Sequence, residues 1–272
     1  VDLPGALSLN SVVINGSRVV GPIIVAVLSQ VGVTTAGFFF MNAATYLFVI
    51  FALMVVNIPT FTPDPTQGWR RFTSGISLAR QISGVSRLLL TLATFSLFSL
   101  PYVGLFPAVA HVNFGIAEDG SIYKWLYATW GLGAALGGLA IGTKFSHRDQ
   151  RKLVQYGFVG FAVSMVFFAI SRSAVPAFIF GFILGFAYFF TTTAMSIVVQ
   201  SRLKPEMRGR VMSLWFMSFG GTVPLGNMLF GPIVDQYGAR WLLLFGAAWA
   251  LFLAWWCNVS ALDAKNKFLT NK

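Results

Sequence analysis

Eight apolar runs, each long enough to cross a bilayer, leave this chain few ways to fold. They lie near 9–31, 36–58, 88–110, 122–143, 153–170, 175–199, 211–234 and 241–259. Crossing ~30 Å of hydrocarbon takes about 20 helical residues at ~1.5 Å each. Lipid offers no water to backbone N–H and C=O groups, so only helices or closed barrels can span it. The runs are continuous rather than alternating, which excludes barrel strands. An all-α integral membrane bundle of eight transmembrane helices follows. With 56% of residues hydrophobic and 10% charged, a water-soluble domain could not cover its own apolar surface.

The net charge of +11 would suit nucleic acid if it formed one patch. It does not, because the basic residues sit in short loops between the runs. Residues 59–87, 144–152, 201–210 and the tail after 260 hold fifteen of the 19 lysines and arginines, whereas the opposite loops hold only Lys124, Arg172 and Arg240. That asymmetry is the positive-inside pattern, and it predicts that the first set of loops and both termini are cytoplasmic. The single cysteine, Cys257, permits no disulfide framework. No paired carboxylates, catalytic triad or metal cluster is present, so no enzyme activity, cofactor or metal is expected.

A repeat organises the runs. Gly16, Gly21, Pro22 and Ile23 match Gly226, Gly231, Pro232 and Ile233, 210 positions later. Ala43, Ala44, Leu47 and Phe48 then match Ala247, Ala248, Leu251 and Phe252 at a spacing of 204. A repeat this wide implies duplicated sets of helices, as in transporters built from two halves. The one long connection, Pro59 to Arg87, divides the chain into two runs and then six. Its alternation of Trp69, Phe72, Ile76, Leu78, Ile82 and Val85 with arginines suits either an amphipathic helix on the inner membrane surface or a solvated linker. The expected domains are 1–58, a linker over 59–87, a six-helix unit over 88–262 and a tail over 263–272.

Three stretches resemble the major facilitator superfamily, in its branch of bacterial enterobactin exporters and macrolide efflux (transmembrane secretion effector) proteins. They are 6–11 with 17–22, the run Pro205-Glu206-Met207-Arg208-Gly209-Arg210-Val211 followed by Gly221, Pro224 and Gly226, and the loop Gly142 to Lys152. The resemblance implies helices five to twelve of a twelve-helix carrier: the last two helices of the N-terminal half, then the complete C-terminal half. Four helices supplied in cis or in trans would be needed as a partner. Val25 and Ala26 stand where the superfamily's antiporter motif has glycines, and Ser146 where its gating motif has Asp. Membership is therefore implied more firmly than a coupling mechanism.

Arg18 lies about nine residues into its run, roughly 13 Å deep at helical rise. An unpaired mid-bilayer Arg costs at least ~2.5 kcal/mol, so it is a substrate or coupling candidate, with snorkelling as the alternative. Tyr188, Thr191, Thr192 and Ser196 recur at helical spacing, and each either faces a cavity or packs between helices. Ser96, Ser99 and Tyr102 flank Pro101, an expected kink, and Asn227 joins this set of candidates. Gly133, Gly137, Gly138 and Gly142, with Gly226 and Gly231, read as close helix-packing or gating positions. Arg148, Asp149, Arg151, Glu206, Arg208 and Arg210 form the charged cytoplasmic loops.

The leading expectation is a secondary transporter in a bacterial inner membrane. It would export a small amphipathic molecule (siderophore or drug-like) by alternating access, with proton coupling left open. The rival is a non-transporting remnant or membrane-interaction subunit derived from such a carrier.

Overall fold

The computed structural model describes residues 17, 20–21, 24–25, 27–56, 69–117 and 120–257, the side chains of 69–74, 205 and 206 excepted. Gly16, Arg18 and Pro22 lie outside the described residues, as do the prolines of the linker and the tail over 263–272. The described residues form helices and turns, with no strand. They comprise α1 (Thr35–Val55), α2 (Trp69–Gln81), α3 (Val85–Phe98), α4 (Pro101–Gly104), α5 (Phe106–Phe114), α6 (Ser121–Gly142), α7 (Gln150–Ile170), α8 (Ala174–Ser201), α9 (Pro205–Phe216), a π-helical turn (Met217–Gly221), α10 (Thr222–Tyr237) and α11 (Ala239–Trp256).

Four of these, α1, α7, α8 and α11, are long and apolar enough to cross a membrane as single helices. Residues of α2 and α3 make a fifth candidate, bent by 117° at the break between them. Three of the other runs are helical in different ways, and most of run 9–31 lies outside the described residues. Run 88–110 is cut into α3, α4 and α5, with Pro101 and Pro107 in the first turns of the new helices. Run 122–143 is the 22-residue α6, less apolar because five glycines, Lys124 and polar-edged rings dilute it. Run 211–234 is carried by α9, the π turn and α10 without a gap.

The helices from α3 onward pack as one bundle. Helix α8 sits between α6 and α7, α7 leads on to α11, and α10 packs against α3, α4 and α11. Small residues make this possible, because lipid gives helices no hydrophobic reason to associate and close backbone approach must do so instead. A Cβ at Gly133 or Gly137 of α6 would strike the carbonyls of Phe182 and Phe186 on α8, and one at Gly185 would strike that of Trp130. On α11, a Cβ at Gly246 would lie 3.2 Å from the Cα of Ser99. Gly138 is buried, whereas Gly142 and Gly231 have open space where a Cβ would stand.

Two further contacts close the bundle. The Arg87 guanidinium donates to the carbonyl of Trp256 and lies 4.4 Å from the centre of that indole, joining the start of α3 to the end of α11 by a hydrogen bond and a cation–π contact. Gly238, at φ 84° and ψ 156°, turns α10 into α11 through a backbone conformation available essentially only to glycine. The linker helix α2 does not float: Ala79 is buried, and a Cβ at Gly75 would lie 3.2 Å from the Arg210 carbonyl of α9.

Candidate functional site

The site begins at the break in the third run. Proline has no N–H, so Pro101 cannot bond the carbonyl of Leu97 four residues earlier, and α3 ends there. Gly226 of α10 approaches this same carbonyl closely, where a Cβ would collide with it. Beyond the break, Tyr102 is turned fully inward, and its hydroxyl accepts a 3.2 Å hydrogen bond from the indole Nε1 of Trp130 on α6.

Trp130 is the middle of a ladder of rings. Tyr123 stacks on Tyr127 at 6.3 Å between centroids, and Tyr127 on Trp130 at 5.3 Å. Trp130 stacks on Tyr188 of α8 at 6.0 Å, and Tyr188 on Phe219 of the π turn at 6.3 Å. All four pairs are within 29° of parallel, in the distance range where aromatic pairs attract. Trp130 and Tyr188 are buried, while Tyr123, Tyr127 and Phe219 are half-exposed. The ladder therefore presents ring surface at both ends and crosses α6, α8 and the π turn. None of its members carries a formal charge, so it can recognise a flat or apolar body by stacking and its polar edges by hydroxyl groups.

Of the residues singled out in the sequence, Tyr102 and Tyr188 meet either side of Trp130. The others are placed elsewhere. Ser99 donates to the Gly246 carbonyl at 2.8 Å, on the α11 side. Thr191 is fully buried, donates to the Ala187 carbonyl at 2.7 Å and lies where Gly157 of α7 comes close. Thr192 donates to the Tyr188 carbonyl at 3.1 Å, and Ser196 accepts from the Gln200 amide at 2.9 Å. Ser96 is buried with no partner for its hydroxyl among the described residues. Asn227 abuts Gly104, and its Oδ1 is likewise buried without a donor. These two orphan atoms flank the Pro101 break, one before it on α3 and one facing it from α10.

Tyr123, Tyr127, Trp130 and Phe219 were not singled out from sequence. The first three carried a signal, because spacings of four and three place them along one helix face, but that segment reads first as a glycine-rich packing helix. Phe219 carried none.

At the other end of α6 the charged loop is ordered around Asp149. Its Oδ1 accepts from the Arg151 backbone N at 3.0 Å and from Arg151 Nε at 2.9 Å, and its Oδ2 from Nη2 at 3.1 Å. Asp149 thereby caps α7, and the Arg151 hydrogen bond holds its carboxyl below the usual carboxylate range. Arg148 and Arg208 are exposed, Arg210 is half-buried on α9, and Glu206 lies in the first turn of that helix.

Comparison with known proteins agrees with this architecture. Macrolide efflux protein A of Streptococcus pyogenes is 26% identical over 182 residues, covering 65% of this chain and 44% of its own length. The protein of the same name from Streptococcus pyogenes serotype M6 (strain ATCC BAA-946 / MGAS10394) matches to the same extent. The chain thus spans less than half the length of these curated relatives. The family described as transmembrane secretion effector matches residues 1–269, essentially end to end. This multi-pass helical membrane protein belongs to the transmembrane secretion effector family of the major facilitator superfamily.

Proposed function

We propose that the chain supplies the C-terminal half, and the last two helices of the N-terminal half, of an efflux carrier that exports a bulky amphipathic molecule by alternating access. The observation that carries this reading is the ring ladder from Tyr123 to Phe219. It spans three elements of one half and offers stacking surface edged with hydroxyls, which suits a substrate with a large apolar body and few charges. The relatives' role, macrolide efflux, concerns a molecule of that character.

In this reading the charged loops at 144–152 and 201–210 face the cytoplasm of a bacterial inner membrane, as do both termini. Residues 59–87 join the two halves there. The substrate lies between the halves, so four further helices complete the cavity wall. Any titrating carboxylate for proton coupling belongs to those helices, because the acids of this chain fall between the apolar runs or at their ends. Arg18, near mid-bilayer, faces the cavity and holds either a substrate anion or such a carboxylate.

The test is efflux of a labelled macrolide from vesicles carrying the 272-residue chain, beside a version extended by four upstream helices. Efflux only from the extended version is expected. Equal efflux from both would refute the division of labour and make the eight runs a complete carrier, while none from either would favour the non-transporting remnant.

A further inference from the structure

A cavity of about 490 Å³ opens at the charged end of α6, α7 and α8, away from the ring ladder. Arg148 and Arg151 wall it on one side and Arg202 on the other, with Ile197 and Val198 of α8 as an apolar floor. Among the described residues Asp149 is the one carboxylate on its wall, and both its oxygens already accept hydrogen bonds from Arg151. Among the described residues of the wall, three arginines stand against one aspartate.

The Gln150 amide Nε2 donates to the carbonyl of Phe145 at 2.7 Å, and at longer range to those of Arg148 and Ser146. Two N–H groups shared among three carbonyls hold the backbone of this turn in place. Arg202 is held in place by donating to the Ser83 carbonyl at 2.6 Å, which ties the pocket to the turn before α3. A fixed pair of arginine-bearing walls over an aliphatic floor suits a phosphate joined to an apolar body. Below the pocket, α7 exposes Tyr156, Val159, Val163, Phe167 and Ile170, a stripe that only lipid would cover favourably.

We propose that this pocket binds the phosphate of an acidic phospholipid headgroup, with the acyl chains lying against the exposed apolar surface of the bundle. A free phosphate would satisfy the same arginines but has no use for the aliphatic floor. The site is separate from the ring ladder, so it stands whether or not the chain transports.

The test is native mass spectrometry of the full chain with added phosphatidylglycerol or phosphatidylcholine, with inorganic phosphate in large excess as a competitor. Preferential retention of phosphatidylglycerol that phosphate does not displace is expected. Arg148→Gln should weaken it about fivefold and Arg148→Gln with Arg202→Gln about 25-fold, as expected for arginines at an anionic surface. Arg148→Lys should restore most of it, and a thermal melt of Arg148→Gln should match the parent. Equal retention of the two lipids, or unchanged retention in Arg148→Gln, would overturn the proposal. Displacement by inorganic phosphate would overturn the lipid source and leave a soluble-phosphate site.

Discussion

Helices α1 and α8 are both long and apolar, yet they stand in opposite relations to the rest of the molecule. Of the most apolar stretch of α8, 44% of residues are buried, against none in α1. Hydrophobicity cannot be the cause, because α1 is the more apolar of the two. The two differ in backbone approach: α8 meets α6 through Gly185 and the paired Gly133 and Gly137, whereas Gly37 of α1 has only Val33 and Thr34 of its own turn nearby. In water an apolar helix must find a partner. In lipid it needs one only if its surface lets another backbone come close.

The strongest way to break this contrast is to fill the gap between α6 and α8. Gly137→Leu should abolish the monodisperse folded protein, because the added side chain meets the Phe186 backbone rather than a movable side chain. Even Gly137→Ala should cost about 1–3 kcal/mol, the usual cost of overpacking. Ala43→Leu on α1, where every residue is at least partly exposed, should leave stability within about 0.5 kcal/mol. Reversible unfolding in detergent by added denaturant measures both, and equal effects at the two sites would end the distinction.

A smaller effect should separate two glycines that share a positive φ. Gly238 at φ 84° couples α10 to α11, and Gly32 at φ 89° precedes α1. Gly238→Ala should cost about 1–3 kcal/mol of backbone strain. Gly32→Ala should cost less in the same unfolding measurement, because its turn can shift without moving packed helices.

The smallest effect is electrostatic. The Asp149 carboxyl titrates below its ordinary value of 3.8 in the folded chain. Its contribution is therefore fully present above that value and is lost as pH falls through the depressed one. Asp149→Ala should cost about 1 kcal/mol at neutral pH through loss of the α7 cap and remove that acid dependence. The cap of α1, where Thr34 Oγ1 accepts from the Gly37 N–H at 3.3 Å, does not titrate and should show none. Circular dichroism against pH on the parent and on Asp149→Ala checks both.

The membrane class was legible in the sequence because run length alone excludes other folds, and the Pro101 break because proline removes a donor. Which face of each helix turns inward was not. In a soluble helix the polar stripe marks the outside, but on α8 the outward Ile179 and Ile183 are as apolar as the inward Leu184. Thr191 and Tyr188 sit on neighbouring turns, yet one lies against Gly157 and the other joins the ring ladder. The ladder also joins Trp130 to Tyr188 across two helices, a contact that no local spacing encodes. Arg18, the sharpest single residue in the sequence, falls outside the described residues.

The account rests most heavily on the ladder as the substrate-facing wall, and Trp130 is the ring that joins its α6 part to Tyr188 of α8. The most direct measurement is equilibrium binding of a labelled macrolide to the chain extended by the upstream helices, reconstituted in lipid discs, for the parent, Trp130→Phe and Trp130→Ala. Trp130→Phe keeps a smaller stacking ring and loses the hydrogen bond to Tyr102, so its affinity should fall about two- to fivefold, the value of roughly one neutral hydrogen bond or less. Trp130→Ala breaks the ladder between Tyr127 and Tyr188 and should weaken binding at least about tenfold, in the range of losing stacking on both faces. Parent affinity in a folded Trp130→Ala protein would contradict the account and place the substrate on another surface.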